Sequence, residues 1–294
     1  VNSLVLDLET ITDPILPLPE PKRCKGALDY PTALAKGGSE NWEYNPALGA
    51  CACCAIVGAC PKCGTPPDVF LPPTYHKIVA IGYAKVSSDE DGPNIEEIDV
   101  LANLDANLAE GLGRNSEKKT LQTLSSHLSA ASPRIIGWNS RGFDLPVIAA
   151  RCLALGVPLE WYYRGVRNQD PRYRYSDAAH YDVKDYLGDY GAGRSAGLDA
   201  VAKSIGLPGK TGVDGSMVGA MVADGKLAEV LDYCACDVAQ TFGVFLRLEL
   251  VRGRLDPLTY KRAARRFLGV IASEPRLRAL RSGVNAGLFL LEDV

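Results

Sequence analysis

The ten residues Val1-Asn2-Ser3-Leu4-Val5-Leu6-Asp7-Leu8-Glu9-Thr10 constrain this chain more than any other stretch. An apolar run leads straight into two carboxylates spaced i, i+2. Alternate side chains of a strand share a face, so Asp7 and Glu9 emerge side by side with Val5 and Asn2 behind them. Leu4, Leu6 and Leu8 then face the other way. Two like charges so close at the end of a buried strand repel unless something positive lies between them. Hard divalent cations, which take carboxylate oxygens, are the usual answer. Taken alone, the pair equally suits a strand running out into a solvated loop, so carboxylates elsewhere decide.

With 294 residues, 47% hydrophobic and 23% charged, the chain has ample core for one large domain or two small ones. A net charge of -3 excludes a globally basic nucleic-acid binder and moves the search to local patches. No apolar run reaches the ~18 residues of a membrane span. The first residues enter a strand with no basic leader before it, so neither a membrane role nor a signal peptide is expected. The nine cysteines are then expected to be reduced, in the cytoplasm.

After Thr10, Pro14, Pro17 and Pro19 exclude regular structure. A long Cys/Pro/Gly-rich insertion follows at about 21–73. Within it, Cys60-Pro-Lys-Cys63-Gly64 has the spacing of one corner of a tetrahedral zinc. Cys51 with Cys54 (or Cys53) would supply the other corner, more tightly spaced than a zinc ribbon. One possible structural zinc, held by Cys51, Cys54, Cys60 and Cys63, stands beside the plainer reading of small buried cysteines.

Regular structure resumes with strands at His76–Ala84 and Ile95–Leu101, an antiparallel meander around Asp91-Gly92-Pro93. Asn103–Gly111 and Ser116–Ala131 read as helices, the latter with Leu121, Leu124, Leu128 and Ala131 on one face. A short strand at 134–138 leads into Asn139-Ser140-Arg141-Gly142-Phe143-Asp144, and Asp144 reads as the N-cap of a helix through Leu155. Trp161–Tyr175 interleaves five aromatic residues with Arg164, Arg167, Arg172 and Arg174. That mixture suits a channel for single-stranded nucleic acid, with rings on bases and guanidinium groups on phosphates; the alternative is tyrosines packed on the core. Tyr181–Leu187 reads as a strand carrying Asp182 and Asp185.

Two glycine motifs fail on context. Gly191-x-Gly193 lacks the βαβ unit of a dinucleotide site, and the Gly-Lys-Thr at 209–211 follows a helix instead of a strand. Lys226–Val251 is the longest amphipathic helix, with Tyr233 and Asp237 four apart and hence neighbours. From Arg252 to Arg281 nine basic residues face only Asp256 and Glu274, which suits either a solvated helical face or a phosphate-facing patch.

Asp7, Glu9, Asp144 and Asp237 together can hold two Mg²⁺ or Mn²⁺ ions ~3.5–4 Å apart, the arrangement that hydrolyses phosphodiesters. In the order Asp7-x-Glu9, Asn139-x3-Phe143-Asp144 and Tyr233-x3-Asp237, the chain resembles the DEDD superfamily of 3′–5′ exonucleases, tyrosine branch. More narrowly it is similar to the predicted exonucleases related to the proofreading domain of family B DNA polymerases. Gly137–Pro146, Tyr173–Ser176, Gly206–Ser216 and Asp232–Asp237 also carry that likeness, which covers 1–12 and about 75–255. The resemblance implies an α/β, RNase H-like fold, a mixed central β-sheet flanked by helices. It implies a domain over 1–255, leaving 256–294 as a basic helical extension.

By position, the resemblance has Asp7 bridge both metals, Glu9 and Asp237 bind the nucleophile-side metal, and Asp144 bind the leaving-group metal. Tyr233 would orient the attacking water, being a poor base at its usual pKa near ~10. Asn139 and Phe143 would line the terminal nucleotide, with Thr10 at its sugar. The pair His180-x4-Asp185 has the spacing of the superfamily's other branch, but it falls on an expected strand, leaving Asp182 and Asp185 a supporting role. The expected activity is 3′–5′ removal of nucleotides from single-stranded DNA, with a DNA polymerase or repair protein as possible partner. The alternatives are the same chemistry on RNA, a non-catalytic nucleic-acid-binding module, and a zinc-dependent scaffold built on the cysteines.

Overall fold

The computed structural model describes residues 3–16, 71–104 and 113–292. The chain divides into two units, Val1–Thr12 with His76–Val294, and Asp13–Tyr75. In the second, the Asp13 amide donates to the Tyr75 carbonyl at 2.7 Å. The rest of that unit, including Cys51, Cys54, Cys60 and Cys63, lies outside the described residues, apart from 14–16 and 71–74.

The first unit is built on five strands: β1 (Ser3–Thr12), β2 (His76–Asp89), β3 (Gly92–Ala102), β4 (Arg134–Gly137) and β5 (His180–Asp182). They stand in the order β3-β2-β1-β4-β5. β1 pairs antiparallel with β2 and parallel with β4; β4 pairs parallel with β5. This is the mixed, helix-flanked sheet of the RNase H-like expectation. β1 sits at the centre, covered on both faces, which is why its sequence is apolar at consecutive positions. Its alternation divides the core in two. Leu4, Leu6 and Leu8 join Ile81 and Tyr83 beneath two helices, α1 (Gly113–Ala131) and α2 (Asp144–Leu155). Val5, Ala80, Ala84 and Ile136 join the layer on the other face.

A buried ion pair fixes α1 and α2 to the sheet. Glu117 of α1 accepts from Arg151 of α2 through both oxygens, at 2.8 and 2.7 Å, and from the Ile78 amide of β2 at 2.9 Å. In α1, Leu121, Leu124 and Leu128 are buried as the periodicity requires. Ala131 is exposed, because it lies in the final turn, beyond the sheet.

Four short helices follow, α3 (Glu160–Tyr163), α4 (Val183–Leu187), α5 (Leu198–Ser204) and α6 (Val218–Ala223), and then the long α7 (Leu227–Val251). After it come α8 (Pro257–Ser273), α9 (Arg278–Arg281) and α10 (Ala286–Leu290). α7 crosses the second face of the sheet, and Phe242 and Phe245 meet Phe267 and Tyr260 of α8 and Phe289 of α10 in one cluster. Residues 257–290 thus complete this layer. Three of the tail's basic residues pair with acids of the β2–β3 hairpin: Arg262 with Asp91 at 2.7 Å, Arg266 with Asp89 at 2.8 Å and Arg276 with Asp99 at 3.3 Å.

Three expectations are corrected. Of the expected strand Tyr181–Leu187 only Tyr181 and Asp182 are extended, at the end of β5. Val183–Leu187 is helical, started by Asp182, whose carboxylate caps the Asp185 amide. Asp144 is the first helical residue of α2, not its N-cap, which is Phe143 and carries no side-chain cap. The expected helix at 103–111 does not begin at Asn103, which extends the sheet by donating its amide to the Val79 carbonyl at 2.8 Å; 105–111 lie outside the described residues.

Gly82 sets how near α7 comes. It is the cross-strand partner of Asp7. A Cβ there would stand 2.8 Å from the Cys234 sulfur and 2.9 Å from a Val238 methyl. Overpacking of this kind costs about 1–3 kcal/mol. Gly82→Ala is expected to lower urea stability by that amount, and an unchanged unfolding midpoint would contradict the packing described.

Candidate active site

Three elements meet where β1 ends. Asp7 and Glu9 leave β1 on the face that carries Val5, and a bulge between Glu9 and Thr10 ends the regular register. α2 brings Asp144 and α7 brings Tyr233 and Asp237. The four carboxylates that the sequence singled out are brought close enough to perturb one another. Glu9 and Asp144 are 6% and 3% exposed.

Burial raises the Asp7 carboxyl well above its ordinary range, and the charges of Asp144, Asp237 and Glu9 add to it. Glu9 is raised in the same way, by burial first and then by Asp237 and Asp144. Burial lifts Asp144 to about 7, against hydrogen bonds from its own amide and that of Leu8. Burial lifts Asp237 to about 6, held down by the Tyr233 hydroxyl and by Lys210. Tyr233 is raised above its ordinary value by burial, Asp237 and Glu9, so its hydroxyl stays protonated and donates to Asp237. Four buried acids that resist ionisation, Asp7 and Glu9 in part because of the others, form a site for a multiply charged cation.

Asp144 is aimed by a turn that Asp182 holds. One Asp182 oxygen accepts from the Asn139 amide at 3.0 Å and the Asp185 amide at 3.1 Å. The other accepts from the Arg141 amide at 2.8 Å. Asn139 itself sits at φ 59°, a left-handed geometry that asparagine tolerates better than most residues. His180 is buried under this turn, sharing a hydrogen bond with the Ser140 hydroxyl at 2.8 Å. Burial and the Arg141 charge push it down to about 3, so it is neutral. Of the pair His180–Asp185, the first packs under the turn and the second pairs with Arg174 at 2.6 Å.

Thr10 and Phe143 meet through His76. The Thr10 hydroxyl shares a hydrogen bond with His76 Nδ1 at 2.9 Å, and the His76 ring stands edge-on to Phe143 at 4.9 Å. The aromatic–arginine stretch divides: Trp161 and Tyr162 pack on the core, whereas Tyr163, Tyr173 and Tyr175 are exposed. Arg164 pairs with Glu160 at 2.6 Å and Arg172 with Asp170 at 3.0 Å.

Two further residues border the acids without any signal in the spacing. Cys234 lies 3.8 Å from an Asp7 carboxylate oxygen, and its sulfur and oxygens of Asp7 and Glu9 all fall within 4.8 Å of one another. Burial and these acids raise its thiol well above the ordinary value, so it stays protonated and donates to the Asp7 carbonyl at 3.7 Å. The oxygens, not this thiol, are the donors a hard cation would take. Lys210, from the Gly-Lys-Thr that failed as a phosphate loop, pairs with Asp214 at 3.0 Å and favours the charged forms of Glu9 and Asp237.

The raised carboxyls make metal-free stability fall with pH. Asp144 keeps its proton to about pH 7 when folded but loses it near ~4 when unfolded, so the folded state binds more protons between those values. Stability is then lost as pH rises. Asp144→Asn removes the effect, so in EDTA its advantage over wild type is expected to widen by about 2–3 kcal/mol between pH 5 and 8. Mg²⁺ should stabilise wild type more at pH 8 than at pH 5. A pH-independent gap in denaturant unfolding would contradict the clustering.

No curated protein and no solved structure matches the chain. The family model described as a predicted 3′–5′ exonuclease related to the exonuclease domain of PolB matches residues 68–282, well over half of it. Folded around this acid cluster, the chain belongs to that family of predicted 3′–5′ exonucleases.

Proposed function

We propose that this protein removes nucleotides from the 3′ ends of single-stranded DNA by metal-dependent hydrolysis at Asp7, Glu9, Asp144 and Asp237. The observation that carries the reading is the gathering of four buried carboxyls, all raised by burial and two of them by the others, since a site built to stay empty of cations would not gather them. Their donor set is all oxygen, which fits a pair of Mg²⁺ or Mn²⁺ ions. When bound, such ions supply water activation and neutralise the charge that builds on the phosphate.

The chain's own residues do the rest. Asp7, central on β1 and perturbed by all three other acids, is the natural shared ligand. Glu9, raised by the Asp237 charge, would hold one ion together with Asp237, and Asp144 would hold the other. Tyr233 cannot act as a base with its proton so tightly held. Its hydroxyl, fixed on Asp237, positions the attacking water by hydrogen bonding. The Thr10–His76–Phe143 wall supports the terminal nucleotide, with the half-buried Phe143 ring offering an apolar surface to the base. Kinship with the PolB exonuclease domain favours DNA over RNA.

The test is digestion of 5′-labelled single-stranded DNA and RNA in Mg²⁺, Mn²⁺ or EDTA. A ladder shortening from the 3′ end of DNA is expected, lost by roughly 10³-fold in Asp7→Ala and by about 10²-fold in Tyr233→Phe. Preference for the RNA strand would reassign the substrate. No cleavage of either under any metal would overturn the reading.

A further inference from the structure

Beside the acids, at the carboxyl ends of β4 and β5, a cleft of about 390 Å³ opens between the Asn139 turn and the loop after α4. It shares Asn139 and Asp182 with the turn that aims Asp144, and its cations are Arg141, Arg174 and Lys184. Gly188, Gly191 and Gly193 form the far wall, leaving backbone and open space where side chains would otherwise fill it.

The charges in this cleft are unevenly spent. Arg174 grips Asp185 through two nitrogens, at 2.6 and 3.0 Å, and Arg141 shares the same carboxylate at 3.9 Å. Asp182 is occupied by three backbone amides. Lys184 makes no ion pair among the described residues, and its ammonium donates only to the Asn139 side-chain oxygen, at 3.1 Å. Three cations against two carboxylates leave one positive charge, carried by Lys184. That complements one phosphodiester.

Position gives the direction. Ligands of open α/β sheets lie beyond the carboxyl ends of the strands. Here β1, β4 and β5 are parallel neighbours, so their ends form a line from Asp7 and Glu9, past Asn139, to Lys184. The two strand spacings between β1 and β5 come to roughly 10 Å. His76 belongs to β2, on the other side of β1 from β4 and β5, and there it meets Thr10 and Phe143 to form the wall. A strand with its last nucleotide against that wall leads its 5′ side toward the cleft.

Resting on the exonuclease reading, we propose that the cleft seats a backbone phosphate of the substrate strand, one or two nucleotides to the 5′ side of the bond that is cut, with Lys184 as its counter-ion. The ammonium bridges Asn139 and the phosphate, so an engaged upstream phosphate also stiffens the turn that carries Asp144. Arg174, caught on Asp185, shapes the cleft and adds field but keeps its hydrogen bonds at home.

The experiment measures KM and kcat of the full-length protein on oligothymidylates of two to eight nucleotides, for wild type, Lys184→Gln and Lys184→Arg. A dinucleotide is too short to reach the cleft; a hexanucleotide is not. Lys184→Gln is expected to raise KM about tenfold more for the hexanucleotide than for the dinucleotide. Lys184→Arg should recover most of that difference. The salt dependence of hexanucleotide binding, read by fluorescence anisotropy on an Asp237→Ala background, should lose about 0.7 from its log–log slope in Lys184→Gln. Equal effects on both lengths would overturn the proposal, making Lys184 a support for Asn139 alone. No effect on either would overturn it as well. If wild type cuts nothing, the exonuclease reading falls by itself, and anisotropy still decides the cleft: unchanged affinity and slope in Lys184→Gln would overturn it.

Discussion

Repulsion between buried carboxylates is the constraint around which this structure is arranged. Asp7 and Glu9 leave a central strand where the surroundings are apolar, and Asp144 and Asp237 are carried to them by helices on opposite faces of the sheet. An ionised group without a partner in such a place is costly. The fold must therefore supply enough packing elsewhere to hold the acids together. It does so with two hydrophobic layers and the buried Glu117–Arg151 pair, which ties α2 to the sheet independently of the site.

Each acid is delivered by a local device. The bulge after Glu9 releases β1 from its register just past the two carboxylates. Asp182 binds the backbone of the turn before Asp144, so that residue's direction is set without using its own side chain as a helix cap. Gly82 removes the one side chain that would keep α7 off the sheet, so Asp237 and Tyr233 come within reach of Asp7. Site geometry and core packing here are one problem. A methyl group at position 82 would strain both.

The electrostatics extend beyond the acids in a graded way. Lys210 eases the charge on Glu9 and Asp237 from the solvent side. Farther along the strand ends, the arginines of the Trp161–Tyr175 stretch are mostly paired with nearby aspartates and glutamates, and three arginines of the basic tail are paired with the β2–β3 hairpin. Among the described residues, these arginines are thus largely structural. Lys184, beside Asn139, is an exception, and it stands next to the turn that carries Asp144.

Much was legible in the residues alone. A period of two placed Asp7 and Glu9 on one face, and the i, i+4 relation placed Tyr233 beside Asp237, because these depend only on backbone geometry that strands and helices always have. The order of the three acidic motifs carried the family and, with it, the fold. Sequence did not determine that Asp182 would hold the turn, that Glu117 would lock onto Arg151, or that the lysine of an apparent phosphate loop would lie beside Glu9. Each of those depends on residues from about 30 to 200 positions apart meeting after the chain closes. A carboxylate's role is set by which amides, cations and other acids surround it, and only tertiary structure decides that company.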